Sequence, residues 1–148
     1  MNPQELATAC ADSMYSNDRA SQGLGMVIET VGPGVSRMSM PVREDMLNGH
    51  DVCHGGFIFA LADSCFAFAC NSHNNNTLAA GARIEFLAPA KQGDTLAAAA
   101  SEVALGGRTG IYDVVVSNQH GERVALFRGN SHRIKGNLVN TATGETEQ

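Results

Sequence analysis

The sequence predicts an α+β fold in which about five or six antiparallel strands curl around one long apolar helix. Three observations lead there. Phe57 to Cys70 is a fourteen-residue run in which only Asp63 and Ser64 are strongly polar. Glycine- and proline-bearing turns divide most of the remaining chain into strand-length segments. Only one other helical pattern is present. A helix apolar on nearly every side must be covered on nearly every side. A single layer of sheet leaves one face open, so a second subunit is the natural cover and the protein is expected to be at least a dimer.

The elements follow in order. Asn2 caps a helix over residues 3–15, with Pro3 at its first position and Leu6, Cys10 and Met14 recurring every four residues. Residues 17–22 are a polar connection with room for one more helical turn. Residues 24–31 and 35–42 form a hairpin about Gly32-Pro33-Gly34, with Pro41 placing the second strand's end near an edge. A loop over 43–55 leads into the central helix, 56–73. After His73-Asn74-Asn75-Asn76 the chain reads as strands at 78–87, 95–105, 110–117 and 123–132. Ala97 to Ala100 alone suggests helix, but Gly93-Asp94-Thr95 and Gly106-Gly107 frame it as a strand of a meander. One domain over 1–136 is expected, followed by a polar, disordered tail over 137–148.

Composition narrows the function. At 148 residues, 43% hydrophobic and 17% charged, the chain is long enough for one well-filled core. A net charge of −5 argues against general nucleic-acid binding, which requires a basic face. The apolar run is shorter than the roughly 18–20 residues needed to span a bilayer, and Asp63 in its middle would be costly in lipid, so no membrane partner is expected. Four cysteines without a CxxC pair, and a start lacking a secretory pattern, point to reduced thiols in the cytoplasm.

The chemistry is concentrated in residues 48–63. Gly55-Gly56 presents bare backbone N–H groups at a helix start, where orphan donors and the positive dipole end attract negative charge. Such groups can stabilise a carbonyl oxygen as charge builds on it. Asn48 and His54 stand on the preceding loop, able to bond substrate or water. Asp63 lies eight residues beyond Gly55, roughly 12 Å along a helix, too far to serve the same carbonyl in its own chain. Two such helices packed antiparallel in a dimer would bring Gly55 of one chain towards Asp63 of the other. Competing readings are a structural Asp63 bonded to backbone or hydroxyl, a glycine pair serving only packing, and a His50–Cys53–His54 zinc site that lacks a fourth ligand.

The blocks Leu47-Asn48-Gly49-His50, Cys53-His54-Gly55-Gly56, Leu61-Ala62-Asp63, Phe68-Ala69-Cys70-Asn71-Ser72, Gly93-Asp94-Thr95-Leu96, Val124-Ala125-Leu126-Phe127-Arg128-Gly129 and Ser131-His132-Arg133-Ile134 together resemble the hotdog-fold acyl-CoA thioesterases of phenylacetic-acid degradation. The resemblance covers residues 5–136. It implies a hotdog fold, a homotetramer built from dimers, and hydrolysis of (hydroxy)phenylacetyl-CoA-like thioesters, with neither cofactor nor metal. It assigns Asp63 as nucleophile or general base, the Gly55 N–H as polariser of the carbonyl, Asn48 as positioner of substrate or water, and His54 as support of the loop. A threonine one turn beyond the carboxylate, present in a related subfamily, is replaced by Ala67. Gly56, Arg83, Lys91, Arg108 and Arg133 are candidate substrate contacts, the basic ones for the phosphates of coenzyme A. A hotdog enoyl-thioester hydratase and a non-catalytic acyl-CoA-binding module remain alternatives.

Overall fold

Six antiparallel strands lie in one sheet, curved around a central helix; across the sheet they run Val27–Gly32, Val35–Pro41, Thr95–Gly106, Thr109–Ser117, Arg123–Arg133 and Thr77–Phe86. The structure is a computed structural model and describes residues 1–141. Helix α1 spans Pro3–Asn17 and α2 Arg19–Gly23; the strands are β1 Val27–Gly32, β2 Val35–Pro41, β3 Thr77–Phe86, β4 Thr95–Gly106, β5 Thr109–Ser117 and β6 Arg123–Arg133, with helix α3 at Gly55–Cys70. This is the antiparallel sheet curled around one apolar helix that the sequence pattern predicts, and the hotdog arrangement that the family resemblance implies.

Local chemistry fixes each boundary. The Asn2 side chain accepts the Glu5 N–H at 2.8 Å, which satisfies an orphan donor of α1. The β1–β2 hairpin turns through Gly34 at φ +73°, in the left-handed region that suits glycine. The alanine-rich run is strand β4, because small side chains on its inner face let α3 approach the sheet. Ala98 and Ala100 are buried, and the Ala98 carbonyl accepts the Cys65 thiol at 3.4 Å.

Several boundaries differ from the sequence expectation: α1 runs to Asn17 rather than 15, β1 starts at Val27 rather than 24, and both ends of α3 move. Helix α3 starts one residue earlier than the expected 56 and ends at Cys70 rather than 73. Asn71 stops it: its amide donates to the carbonyls of Ala67, at 2.9 Å, and Thr77, at 3.1 Å, turning the chain into β3. Asn74, at φ 65°, then adopts a left-handed conformation that asparagine tolerates.

Residues 138 and 139, expected to belong to the disordered tail, are instead held in place. The Asn74 side-chain oxygen accepts the N–H groups of Leu138 and Val139, each at 2.9 Å, and Val139 is buried. The remainder of that expected tail, residues 142–148, lies outside the described residues.

The core is the contact between α3 and the concave face of β2, β4 and β5. Leu61, Ala62, Cys65, Phe66, Phe68 and Ala69 of α3 are all essentially buried. Phe66 packs against Tyr112 and Phe127 with ring centroids 5.6 and 5.8 Å apart. A fully buried phenylalanine of this kind contributes about 1.5–3 kcal/mol. Gly129 faces the same ring so closely that an added Cβ would stand 2.9 Å from it. The opposite stripe of α3, carrying Phe59, Ala60, Asp63 and Ala67, is only partly covered.

Strand β3 closes one edge of the sheet, with β6 on its other side. It exposes nearly all its residues, Leu78 and Phe86 among them. Among the described residues no helix is long and apolar enough to cross a membrane.

Candidate functional site

A closed loop delivers α3 to its starting point. The Asn48 N–H bonds the Val52 carbonyl at 2.8 Å, and Asp51 takes a left-handed φ of 59° to close the turn. The Asn48 side-chain oxygen accepts the N–H of His50 at 2.9 Å, and among the described residues its amide hydrogens have no partner. Two further backbone bonds, Cys53 N–H to the Ala90 carbonyl at 2.8 Å and His54 N–H to the Met46 carbonyl at 2.7 Å, clamp the loop against its neighbours.

His54 then caps the helix. Its Nδ1 accepts the Gly56 N–H at 3.0 Å, so Nδ1 carries no proton and a neutral ring bears its proton on Nε2. The two adjacent glycines are thereby separated in role. The Gly56 donor is taken by the cap, while no hydrogen bond among the described residues uses the Gly55 N–H. That donor stands at the positive end of a sixteen-residue helix.

The Gly55 backbone borders a cleft of about 400 Å³ lined by Val52, Ile58, Phe86, Leu87 and Pro89, among others. Phe86 lies over the glycine: a Cβ there would meet its Cζ at 2.9 Å. A side chain at Gly55 would push the Phe86 ring aside and change the mouth of the cleft. Phe86 and Leu87 are each about half exposed, at 53% and 52%. Sequence reasoning placed both in a strand and missed them as cleft residues; the signal was an aromatic and a leucine running into Ala88-Pro89, where regular pairing ends.

Asp63 stands apart from this cleft in its own chain, about 12 Å along the helix axis. It is half-buried on the open stripe of α3, and burial holds its carboxyl above the ordinary aspartate range. Among the described residues it makes neither a hydrogen bond nor an ion pair. Its neighbour Ser64 does bond, its hydroxyl lying 2.9 Å from that of Ser21, which in turn donates to Asp18 at 2.6 Å. A purely structural aspartate would be expected to show such partners.

The basic candidates are scattered. Arg83 pairs with Glu85 at 2.8 Å on the outer face of the sheet. Lys91 follows the Ala88–Ala90 wall of the cleft, its backbone N–H bonded to Asp94 at 2.9 Å. Arg108 and Arg133 meet at the far end of β3, where the Arg133 N–H donates to the Arg108 carbonyl at 2.7 Å. Among the described residues no group of three or more His, Cys, Asp or Glu converges as a metal site would require.

Comparison with known proteins decides the family. The family model of the thioesterase superfamily matches residues 50–125, from the loop into the first residues of β6. The chain belongs to the thioesterase superfamily. As a member it is a thioester hydrolase on the hotdog fold. The acyl-coenzyme A thioesterase PaaI of Escherichia coli strain K12 is 47% identical over 135 residues, 91% of this chain and 94% of that protein. The solved E. coli PaaI protein of the phenylacetic acid degradation operon superposes with a TM-score of 0.88 at 45% identity, over 89% of this chain and 96% of that one. The smu.793 protein of Streptococcus mutans UA159, solved with acetyl CoA bound, gives 0.73 at 26% identity over 76% and 90%.

Proposed function

We propose that this thioesterase hydrolyses acyl-CoA thioesters to free acid and CoA, favouring aryl acyl groups of the (hydroxy)phenylacetyl kind. The observation that carries the reading is the unpaired Gly55 N–H at the start of α3, opening on an apolar cleft beside Phe86. The likeness to PaaI of E. coli supports the substrate class.

In this reading the Gly55 N–H holds the thioester oxygen as negative charge grows on it in the transition state. His54 fixes the first turn so that the donor is already aimed. Asn48 offers its amide hydrogens to substrate or water. Asp63 attacks the carbonyl carbon or takes the proton of an attacking water, and it comes from a neighbouring chain. Two features support that composite site: the open stripe of α3 that carries Asp63, and the long unpaired edge of β3. Pairing β3 with the same strand of a second copy satisfies that edge and brings two α3 helices together antiparallel. The protein accordingly works as at least a dimer, with a dimer of dimers as the larger assembly, in the cytoplasm.

The test is thiol release over a panel of acyl-CoAs, comparing phenylacetyl and ring-hydroxylated phenylacetyl groups with straight chains. The aryl substrates should give the highest kcat/KM. No thiol release from any member of the panel would overturn the reading.

A further inference from the structure

Three cations gather at the end of the sheet away from the cleft. Arg108, Arg133 and Lys135 line a recess of about 370 Å³ with Ile134 and Gly136. The Arg133–Arg108 backbone bond fixes the β4–β5 turn against the end of β6, and the Asn76 amide donates to the Lys135 carbonyl at 3.1 Å. Four arginines elsewhere are matched by carboxylates, Arg37 by Glu29, Arg43 by Asp45, Arg83 by Glu85 and Arg128 by Asp113, while Arg19 and Arg123 stand singly rather than in a cluster. No carboxylate pairs with Arg108, Arg133 or Lys135 among the described residues. Three like charges held together without compensation, in a chain of net charge −5, mark an anion site.

The register shows which anion it suits. Thr77 pairs with Arg133 at one end of β3, whereas Phe86, over Gly55, stands at the other. Nine residue steps along an extended strand separate them by about 30 Å. A coenzyme A arm bound in one chain's cleft does not extend that far. Antiparallel pairing of β3 with a second copy about its midpoint, between Gly81 and Ala82, reverses the geometry. The Thr77 end of one chain then lies beside the Phe86 end of the other.

We propose that Arg108, Arg133 and Lys135 clamp the phosphates of an acyl-CoA whose thioester occupies the cleft of the paired chain. The inference rests on the acyl-CoA reading above and extends it: the chain that lends Asp63 also lends the phosphate clamp, so each substrate bridges two subunits. Lys91, beside Asp94 on the cleft's own chain, offers only a single cation by comparison.

The test compares phenylacetyl-CoA with the N-acetylcysteamine thioester of the same acid, which has no phosphate. In Arg108→Gln/Arg133→Gln, KM for the CoA substrate should rise about tenfold or more, with a far smaller change for the short thioester. Inhibition by adenosine 3′,5′-bisphosphate should weaken in parallel, and Arg37→Gln serves as the charge control. Equal losses on both thioesters, or an unchanged CoA KM, would overturn the clamp. Turnover of the short thioester by wild-type protein tests the hydrolase reading separately.

Doubly tagged assemblies mixing Asp63→Asn chains with Arg108→Gln/Arg133→Gln chains test the bridging. If clamp and Asp63 come from one chain, no site in the mixture is intact and the raised KM persists. Recovery of the wild-type KM would place the clamp with the cleft of its own chain and refute the arrangement.

Discussion

Replacing Asp63 by asparagine separates chemistry from packing, because the two side chains have nearly the same shape. The carboxyl makes no hydrogen bond or ion pair among the described residues, and burial raises its pKa above the ordinary value of 3.8. A charged hydrogen bond, had there been one, would be worth about 1.5–3 kcal/mol. At roughly 2–4 °C per kcal/mol for a chain of this size, its loss would lower Tm by about 3–12 °C. Asp63→Asn breaks no such bond, so no fall is expected.

The sign of the linkage points further. A raised native pKa means that the folded state binds this proton more tightly than the unfolded one. Stability is therefore given up as pH rises from the unfolded pKa through the native one, and the neutral variant escapes that loss. Calorimetry at pH 7 should show Tm equal to or above wild type, while kcat for thiol release falls by about 10²–10⁴. The wild-type acid limb of kcat/KM should lie above pH 3.8, since activity requires the ionised form. A variant with kcat within a few-fold of wild type would refute the chemical role. A Tm lower by several degrees would show that the carboxylate is structural.

Four other outcomes follow. His54→Ala removes the cap on Gly56; Tm should fall by about 2–4 °C for a loss near 1 kcal/mol, and kcat should fall with it because the adjacent donor loses its support. Gly129→Ala forces a methyl against the buried Phe66 ring and should cost about 1–3 kcal/mol in urea unfolding. Ala82→Lys on the exposed β3 edge should lower the mass seen by light scattering and abolish activity; an unchanged mass would remove β3 from the interface. Burial alone pushes Glu102 up, but hydrogen bonds from Tyr112 at 2.7 Å and His73 at 2.8 Å outweigh it and hold its carboxyl below 4.5. Glu102 thus adds stability above that pH, lost on acidification through its native pKa, and Tyr112→Phe should flatten this part of the urea midpoint's acid dependence.

The strands were legible because their stops are local. Glycine, proline and asparagine turns bracket β2 to β6, so even the alanine-rich β4 was recoverable from its flanks. The end of α3 was not, since Asn71 stops it by reaching across to Thr77, which no helical period encodes. Nor was the hold on residues 138 and 139, which depends on Asn74 across more than sixty residues. Within the site, the glycine pair and Asp63 stood out by composition. The division of labour between Gly55 and Gly56 did not, because it depends on the rotamer of His54. The Arg83–Glu85 pair was readable in principle, as residues two apart on a strand share a face.

The cysteines bear on how this enzyme can be assayed. Cys10, Cys53, Cys65 and Cys70 are all buried, and burial pushes their thiols up, Cys10 and Cys65 to about 11 and Cys70 to about 12. Disulfide reagents that colour released CoA react with thiolates, and these side chains stay protonated at neutral pH. The folded protein should therefore be silent to such a reagent, and the signal will count product alone. Once the chain opens, four thiols per chain become reactive, so the same cuvette without substrate reports unfolding.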